Sequence, residues 1–371
     1  MKRLRKNLPD VFYLALIVGA FIFVGQRIFG TSTTSGWKTD FKNASIDLDA
    51  VLSGGVPRDG IPPIDNPMFI DVLAVTDLQP QSPVISIHIN DDARAYPLEV
   101  LTRHEIANDV VGDVPVAVTF CPLCNSAIVY KRTVDDQVLR FGVSGNLMNS
   151  DLIMWDDLTE SWWQQLTGKG IVGDYNGYQL EIVPSQVISF GVFKDRYPDG
   201  KVLRGPRGGY GINPYVGYDS SSTPFLFQGT VDDRLFAMAR VLAVEVDGLE
   251  VAYAFSTLQA KHIVNDTVNM TEIVVFWQAG VVSALDASEI DASKDVGMAA
   301  MYDRRLASGE TLTFRYEDGE FRDNETNSTW NIFGEATAGS LRDTTLRQLN
   351  AFPHFWFAWA AFYPETIVYE P

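Results

Sequence analysis

The sequence predicts a mainly β, α+β protein in which one β-rich unit is written twice behind an N-terminal membrane anchor. Three observations carry that expectation: self-similarity at a fixed offset, a set of short β-branched runs, and an apolar segment near the start. "VISIHINDDARAYPLEVLTRHEIANDVV" begins at Val84 and "VLAVEVDGLEVAYAFSTLQAKHIVNDTV" at Val241, an ungapped offset of 157 (241 − 84). It pairs Ala95 with Ala252, Tyr96 with Tyr253, Leu101 with Leu258, Asn108 with Asn265 and Asp109 with Asp266. The same offset lays "VAVTF" (116–120) over "IVVFW" (273–277) and Ser126-Ala127 over Ser283-Ala284. With small insertions, "SWW" (161–163) faces "STW" (328–330), and "VFKDRYPDGKVL" faces "AWAAFYPETIVY". Two copies predict two similar units about a pseudo-twofold axis, because a solenoid needs at least three repeats.

From the N-terminus, "KRLRK" precedes "VFYLALIVGAFIFVGQRIF", residues 11–29. Val11 to Gly25 is short for a span, but Arg27 can snorkel and extend it toward the ~20 residues a bilayer needs. No A-x-A-like cleavage site follows, so an uncleaved anchor over residues 1–30 is expected rather than a signal peptide. Positive charge before the span predicts a single-pass cell-membrane protein with a cytoplasmic N-terminus and an extracytoplasmic body. Sequons at Asn43, Asn265, Asn269, Asn324 and Asn327 are compatible with export. Residues 31–60 read as a polar, then Pro/Gly-rich, stalk; residues 61–215 form the first repeat and 216–371 the second.

Within each repeat, "VISIHI", "VPVAVTF", "SAIVYKR" and "QVLRFGV" are short, β-branched and alternating or fully apolar, which predicts strands. "KRTVDDQV" predicts a hairpin turn with Asp135-Asp136 at its tip. Helical patterning is confined to "PLEVLTRHEIAND", its counterpart around Leu258, and "PHFWFAWAAFYP". The Gly/Pro-rich "RGPRGGYGINPYVGYD" (204–219) reads as a linker. It lacks the strand-to-helix context and lysine of a phosphate loop, so no nucleotide cofactor is indicated. The net charge of −18 excludes a phosphate-binding surface and hence nucleic acid as a partner. Any protein or small-molecule partner is left open.

The chemistry concentrates in "VTFCPLCNSAIVY", which holds both cysteines of the 371-residue chain, Cys121 and Cys124. At the fixed offset they face Gln278 and Val281, so the fold of the unit does not require thiols. "CPLC" matches the spacing of thiol redox sites, but those place the first cysteine at a helix N-terminus, whereas a strand-like run follows here. Two thiolates at this spacing can hold a soft metal, copper or zinc, given further ligands. His104 ends the helical stretch that feeds the strand to Cys121, and it too is absent from the second copy, where Lys261 stands. Metal site, reversible disulfide and structural turn all remain open on spacing alone. Met148, Met154 and Asp151 are further candidate neighbours. A hydrolytic pairing among Asp151, Asp156 and Glu160 has no spacing that singles out a partner. Ser144 lacks the second glycine of a nucleophile elbow. Trp162, Trp163 and Trp330 read as core, His88 as a strand-surface residue, and His354 as packing within the last helix.

Four blocks carry a family resemblance: "ARAYPLEVLTRHEIANDVVGDVPVAVTFCPLCNSAIVY", "FGVSGNLMNSDLIMWDDLTESWWQQLTGKGIVG", "NPYVGYD" and "PHFWFAWAAFYP". From about Ile61 onward the chain resembles domain-of-unknown-function family 3179. The resemblance implies an exported prokaryotic protein and assigns no activity; it marks His104, Cys121 and Cys124 as functional positions. Asn125 stands where that pattern places glycine, a residue that tolerates the left-handed conformation. The expected function is therefore a membrane-anchored extracytoplasmic protein with a Cys-x-x-Cys plus His site for soft-metal binding or thiol redox chemistry. The alternative is a non-catalytic cell-surface scaffold with a static disulfide.

Overall fold

A computed structural model of the chain describes residues 33–205 and 209–371. The expected anchor at 11–29 lies outside them, and among the described residues no helix is long and apolar enough to cross a membrane. Of the described residues, strand accounts for 40% and helix, 3-10 turns included, for 13%. The short β-branched runs become strands because alternate side chains can be buried on pleated surfaces. "SIHI" alternates, and His88 accordingly points to the exposed side of Pro83–Ile89.

Among the described residues the first half has three sheets of four or five strands, besides the two-stranded hairpin of Thr133–Val134 and Gln137–Val138. One orders Gln186–Ser189, Pro83–Ile89, Asp92–Pro97, Lys201–Leu203 and Phe69–Asp71. The next orders Ile182–Val183, Ser126–Lys131, Val114–Cys121 and Ile106–Val111. The third orders Leu52–Ser53, Phe141–Met148, Asp151–Asp156, Trp162–Gln164 and Gly170–Val172. The second half has three sheets in matching order. These are Ala351–Phe355, Arg240–Val246, Leu249–Ala254 and Ile367–Val368; then Arg347–Gln348, Met298–Asp303, Thr271–Gln278 and Ile263–Val268; then Phe314–Glu317, Glu320–Asp323, Thr329–Trp330 and Ala336–Ala338.

The correspondence reaches single bonds. Val84 pairs with Pro97 and Val241 with Ala254. Buried Tyr96 donates to Asp109 (2.5 Å) as Tyr253 donates to Asp266 (2.8 Å), each phenol finding the partner that burial demands. Asn108 brackets the backbone of Phe141 as Asn265 brackets that of Phe314. Trp163 donates to Asp156 and Trp330 to Asp323, both at 2.9 Å. Helices Leu98–His104 and Phe255–Lys261 both stop at a residue with positive φ, Glu105 (57°) and His262 (60°). A second pair of seven-residue helices, Phe190–Arg196 and Trp356–Phe362, precedes the matched "YP" turns. The first of these is absent from the sequence reading. His354 sits on the strand before the last helix rather than within it, buried and stacked on Trp359.

Two differences between the halves bear on the cysteine pair. Four residues, 122–125, join Val114–Cys121 to Ser126–Lys131, whereas 279–297 join Thr271–Gln278 to Met298–Asp303. The offset therefore breaks after Gln278. Ser126–Lys131 answers to Met298–Asp303, not to Ser283-Ala284, and Cys124 has no counterpart at Val281. The second difference is a hairpin. Phe141 pairs with Asp156 and Phe314 with Asp323, so the first hairpin is 16 residues and the second 10. Both turn through two residues of positive φ, Asn149–Ser150 and Asp318–Gly319, as two-residue hairpin loops require. The short turn and the six extra hairpin residues meet at the same place.

The halves are not separate globules. Strand Ala351–Phe355 packs on Ser126–Lys131, and Gln186–Ser189 on Met298–Asp303. Gln186 donates to the Tyr302 hydroxyl (2.5 Å) and Gln348 to the Ser185 carbonyl (2.9 Å) across that junction. Residues 33–60, read as a stalk from their polar composition, instead fold onto the first half. Trp37, Phe41, Ile46 and Val51 cover Trp155, Trp162 and Val172, and Leu52 pairs with Leu147. Two aromatic side chains outweigh the Ser/Thr content, since each buries far more apolar surface than a hydroxyl exposes.

Candidate metal centre

Strand Val114–Cys121 runs through the core and delivers Cys121 at its end, 2% exposed. Pro122, with φ fixed and no N–H to lose, opens a single 3-10 turn over Pro122–Cys124. Asn125 closes it in the left-handed region (φ 49°, ψ 36°), its N–H donating to the Pro122 carbonyl. That is the conformation expected where glycine would serve. The reversal returns Cys124, fully buried, to the side of Cys121; both are free thiols.

The third group comes from the extended hairpin. Asp151 follows the Asn149–Ser150 tip and is fully buried. One ligand atom each from Cys121, Cys124 and Asp151 lie within 4.8 Å of one another. Oδ2 of Asp151 accepts from Gln164 Nε2 (2.5 Å) and the Leu166 N–H (2.9 Å), while Oδ1 is buried without a well-formed hydrogen bond. The Cys121 thiol donates to the Ser150 carbonyl at 3.7 Å. Gln165, next to Gln164, ties this floor to the sheet by donating to Thr119 Oγ1 (2.8 Å).

Burial dominates the electrostatics. It pushes the Asp151 carboxyl up to about 6 against the pull of Gln164, Leu166 and the two thiols. It raises Cys124 well above the ordinary thiol range, with Cys121 and Asp151 adding to the effect. Cys121 is raised by burial too, although its contact with Cys124 opposes this. Glu105, 8% exposed, is raised to about 8 by burial with Asp151 adding. Burial raises all four, and Asp151 adds to the rise at Cys121, Cys124 and Glu105, a field that a cation would relieve.

His104 does not join them. Its Nδ1 meets the Pro62 carbonyl (2.7 Å) and its Nε2 the Tyr210 hydroxyl (2.8 Å), so both nitrogens are engaged elsewhere. The cause is the helix end: the left-handed turn at Glu105 sends the next side chain, not His104, toward the cysteines. Met154 is fully buried in the cluster that holds both cysteines, and Met148 packs toward Val51 and Trp155. Asp156 is occupied by Thr159 and Trp163, and Glu160 by Lys38 and Arg58, which removes both from a carboxylate pair with Asp151. Ser144 donates to the Ile153 carbonyl (2.5 Å) within a bulged strand and is no nucleophile elbow.

Glu105 was overlooked as a site residue; its signal is its pairing with a different residue type, His262, at the offset. Beside it lies a cavity of about 510 Å³ walled by the hairpin (Val143–Leu147), Leu123 of the cysteine turn, and Tyr215 to Tyr218 of the segment read as a linker. The Tyr218 hydroxyl donates to the Leu123 carbonyl (3.0 Å), fastening that segment over the turn.

Cys121, Cys124, Asp151 and Glu105 all lie in the span 58–366, which matches a family model described as a protein of unknown function, DUF3179. The chain belongs to that family. It matches no curated protein and no solved structure. In this DUF3179 chain, two sulfurs and one carboxylate oxygen form a three-donor set compatible with a metal ion.

Proposed function

We propose that the chain binds one soft divalent metal ion, zinc before copper, through Cys121, Cys124 and Asp151. The carrying observation is the convergence of three buried donor atoms within 4.8 Å, with Asp151 Oδ1 left without a good partner. A carboxylate beside two thiolates suits zinc better than Cu(I), which favours an all-soft set. Three protein donors leave a fourth position open, the pattern of catalytic rather than purely structural zinc. When bound there, zinc supplies Lewis acidity and a lowered pKa for water. The protein's own part is to orient Asp151 through Gln164 and Leu166, to exclude bulk water, and to hold a proton on Glu105 at neutral pH.

Raised thiols are poor nucleophiles, which weighs against rapid disulfide exchange. The static disulfide of the scaffold alternative is not formed, since both sulfurs are unbonded. The matched sheet orders support a duplicated ancestral unit arranged about a pseudo-twofold axis, with the site added to the first copy alone. The apolar run at 11–29 behind "KRLRK" supports an anchored, extracytoplasmic body, where a bound metal would protect a dithiol from oxidation.

Elemental mass spectrometry of full-length protein purified without chelator tests the reading. About one zinc per chain is expected for the wild type, with Cys121→Ser and Asp151→Asn retaining less than about a tenth of that. A metal-free wild type, or equal metal in wild type and Cys121→Ser, contradicts it.

A further inference from the structure

The cavity beside the cysteine turn has features that a thiol or metal role alone does not need. Its walls are chiefly apolar, from Val56, Ile61, Val143, Leu147, Leu152 and Phe225. Its volume, about 510 Å³, falls within the ~300–1,000 Å³ of small-molecule sites. One acid lines it, Glu105, more than nine-tenths buried and with no side-chain hydrogen bond to any described residue. With no partner in the described protein, its oxygens open onto the cavity, where a ligand group can meet them.

The second half supplies the comparison. Glu105 corresponds to His262, and Val143, two residues past Phe141, corresponds to Tyr316, two past Phe314. Tyr316 stacks on His262 with ring centroids 4.0 Å apart and planes 14° from parallel. The space over the helix end is thus plugged by an aromatic ring in one half and left open by a valine in the other. The elements that enclose the open one are the extended hairpin, residues 54–61 and residues 214–226.

We propose that this cavity is a binding site for a small, mainly apolar molecule bearing one carbonyl oxygen, which accepts a hydrogen bond from the Glu105 carboxyl. Burial keeps that carboxyl protonated at neutral pH, so it offers a donor rather than a charge. The proposal stands apart from the metal reading, because the cavity is complete without an ion.

The test is calorimetric titration of metal-free full-length protein with 4-phenylbutan-2-one, and with 4-phenylbutanoate and 4-phenylbutylamine at the same pH. Saturable ketone binding is expected, tighter than that of the acid or the amine. Val143→Tyr, which copies the plug of the second half, is expected to weaken it at least about tenfold, and Leu147→Trp likewise. Glu105→Ala is expected to weaken it about tenfold, and Glu105→Gln, which keeps a donor, by less than about threefold. Val143→Tyr or Leu147→Trp protein with a wild-type unfolding midpoint serves as the folded control, and its zinc uptake is expected to be unchanged. Absent ketone binding, equal binding in wild type and both filled variants, equal binding in wild type and Glu105→Ala, or a tighter amine overturns the proposal.

Discussion

Raising the pH from 5 to 9 is expected to lower the stability of the metal-free chain by on the order of 3–5 kcal/mol through Glu105. The ordinary value of this carboxyl is 4.5, and burial takes it to about 8 in the folded chain. Between those limits the unfolded chain has released the proton and the folded chain retains it. The native state therefore binds more protons, and unfolding becomes easier as pH rises. The stabilisation is complete below about 4.5 and lost above about 8. Asp151, moved from 3.8 to about 6, acts in the same direction over a lower window. Urea midpoints in the presence of chelator at pH 5, 7 and 9 measure the slope, and Glu105→Gln isolates its main source. A slope that is no flatter in Glu105→Gln than in wild type contradicts this assignment.

Trp163→Ala is expected to destabilise the chain by about 3–5 kcal/mol, and Trp330→Ala by a similar amount. Trp163 is fully buried, with Phe141 and Tyr175 ring centroids at 5.7 and 5.4 Å, and its Nε1 satisfies Asp156. Trp330 meets Phe314 at 5.5 Å and satisfies Asp323 in the same way. Each truncation opens a cavity and strips a partner from a buried carboxylate. The two changes diverge in function. Trp163 immediately precedes Gln164, which orients Asp151, so Trp163→Ala is also expected to lower zinc retention, while Trp330→Ala leaves it unchanged. Denaturant midpoints and elemental analysis on the same samples read both effects. A loss below about 1 kcal/mol at either tryptophan, or equal zinc loss in both, contradicts the paired-core account.

The strands, the Asp135-Asp136 turn and the correspondence of the halves were legible because β patterning and a fixed offset are local signals. The cysteine pair stood out because its first member faces Gln278 at the offset. Asp151 entered only as a neighbour, since 27 residues (151 − 124) and a hairpin separate it from Cys124. Comparing "FGVSGNLMNSDLIMWD" with "FRYEDGEFRD" reveals the six extra residues that carry it. The reading settles on His104 because imidazole is the usual soft-metal ligand, and it leaves Glu105 out; a single residue of positive φ after the helix decides which neighbour turns inward. The break in the offset after Gln278 was masked by a chance Ser-Ala match at 283–284, and Trp37 and Phe41 were hidden in a polar segment whose packing depends on the distant Trp162.

Zinc K-edge absorption spectroscopy on the loaded full-length chain tests the central claim most directly. Two sulfur scatterers at about 2.3 Å with the remaining ligands nitrogen or oxygen, falling to one sulfur in Cys124→Ser, is the predicted result. A first shell without sulfur, or one unchanged by Cys124→Ser, contradicts it.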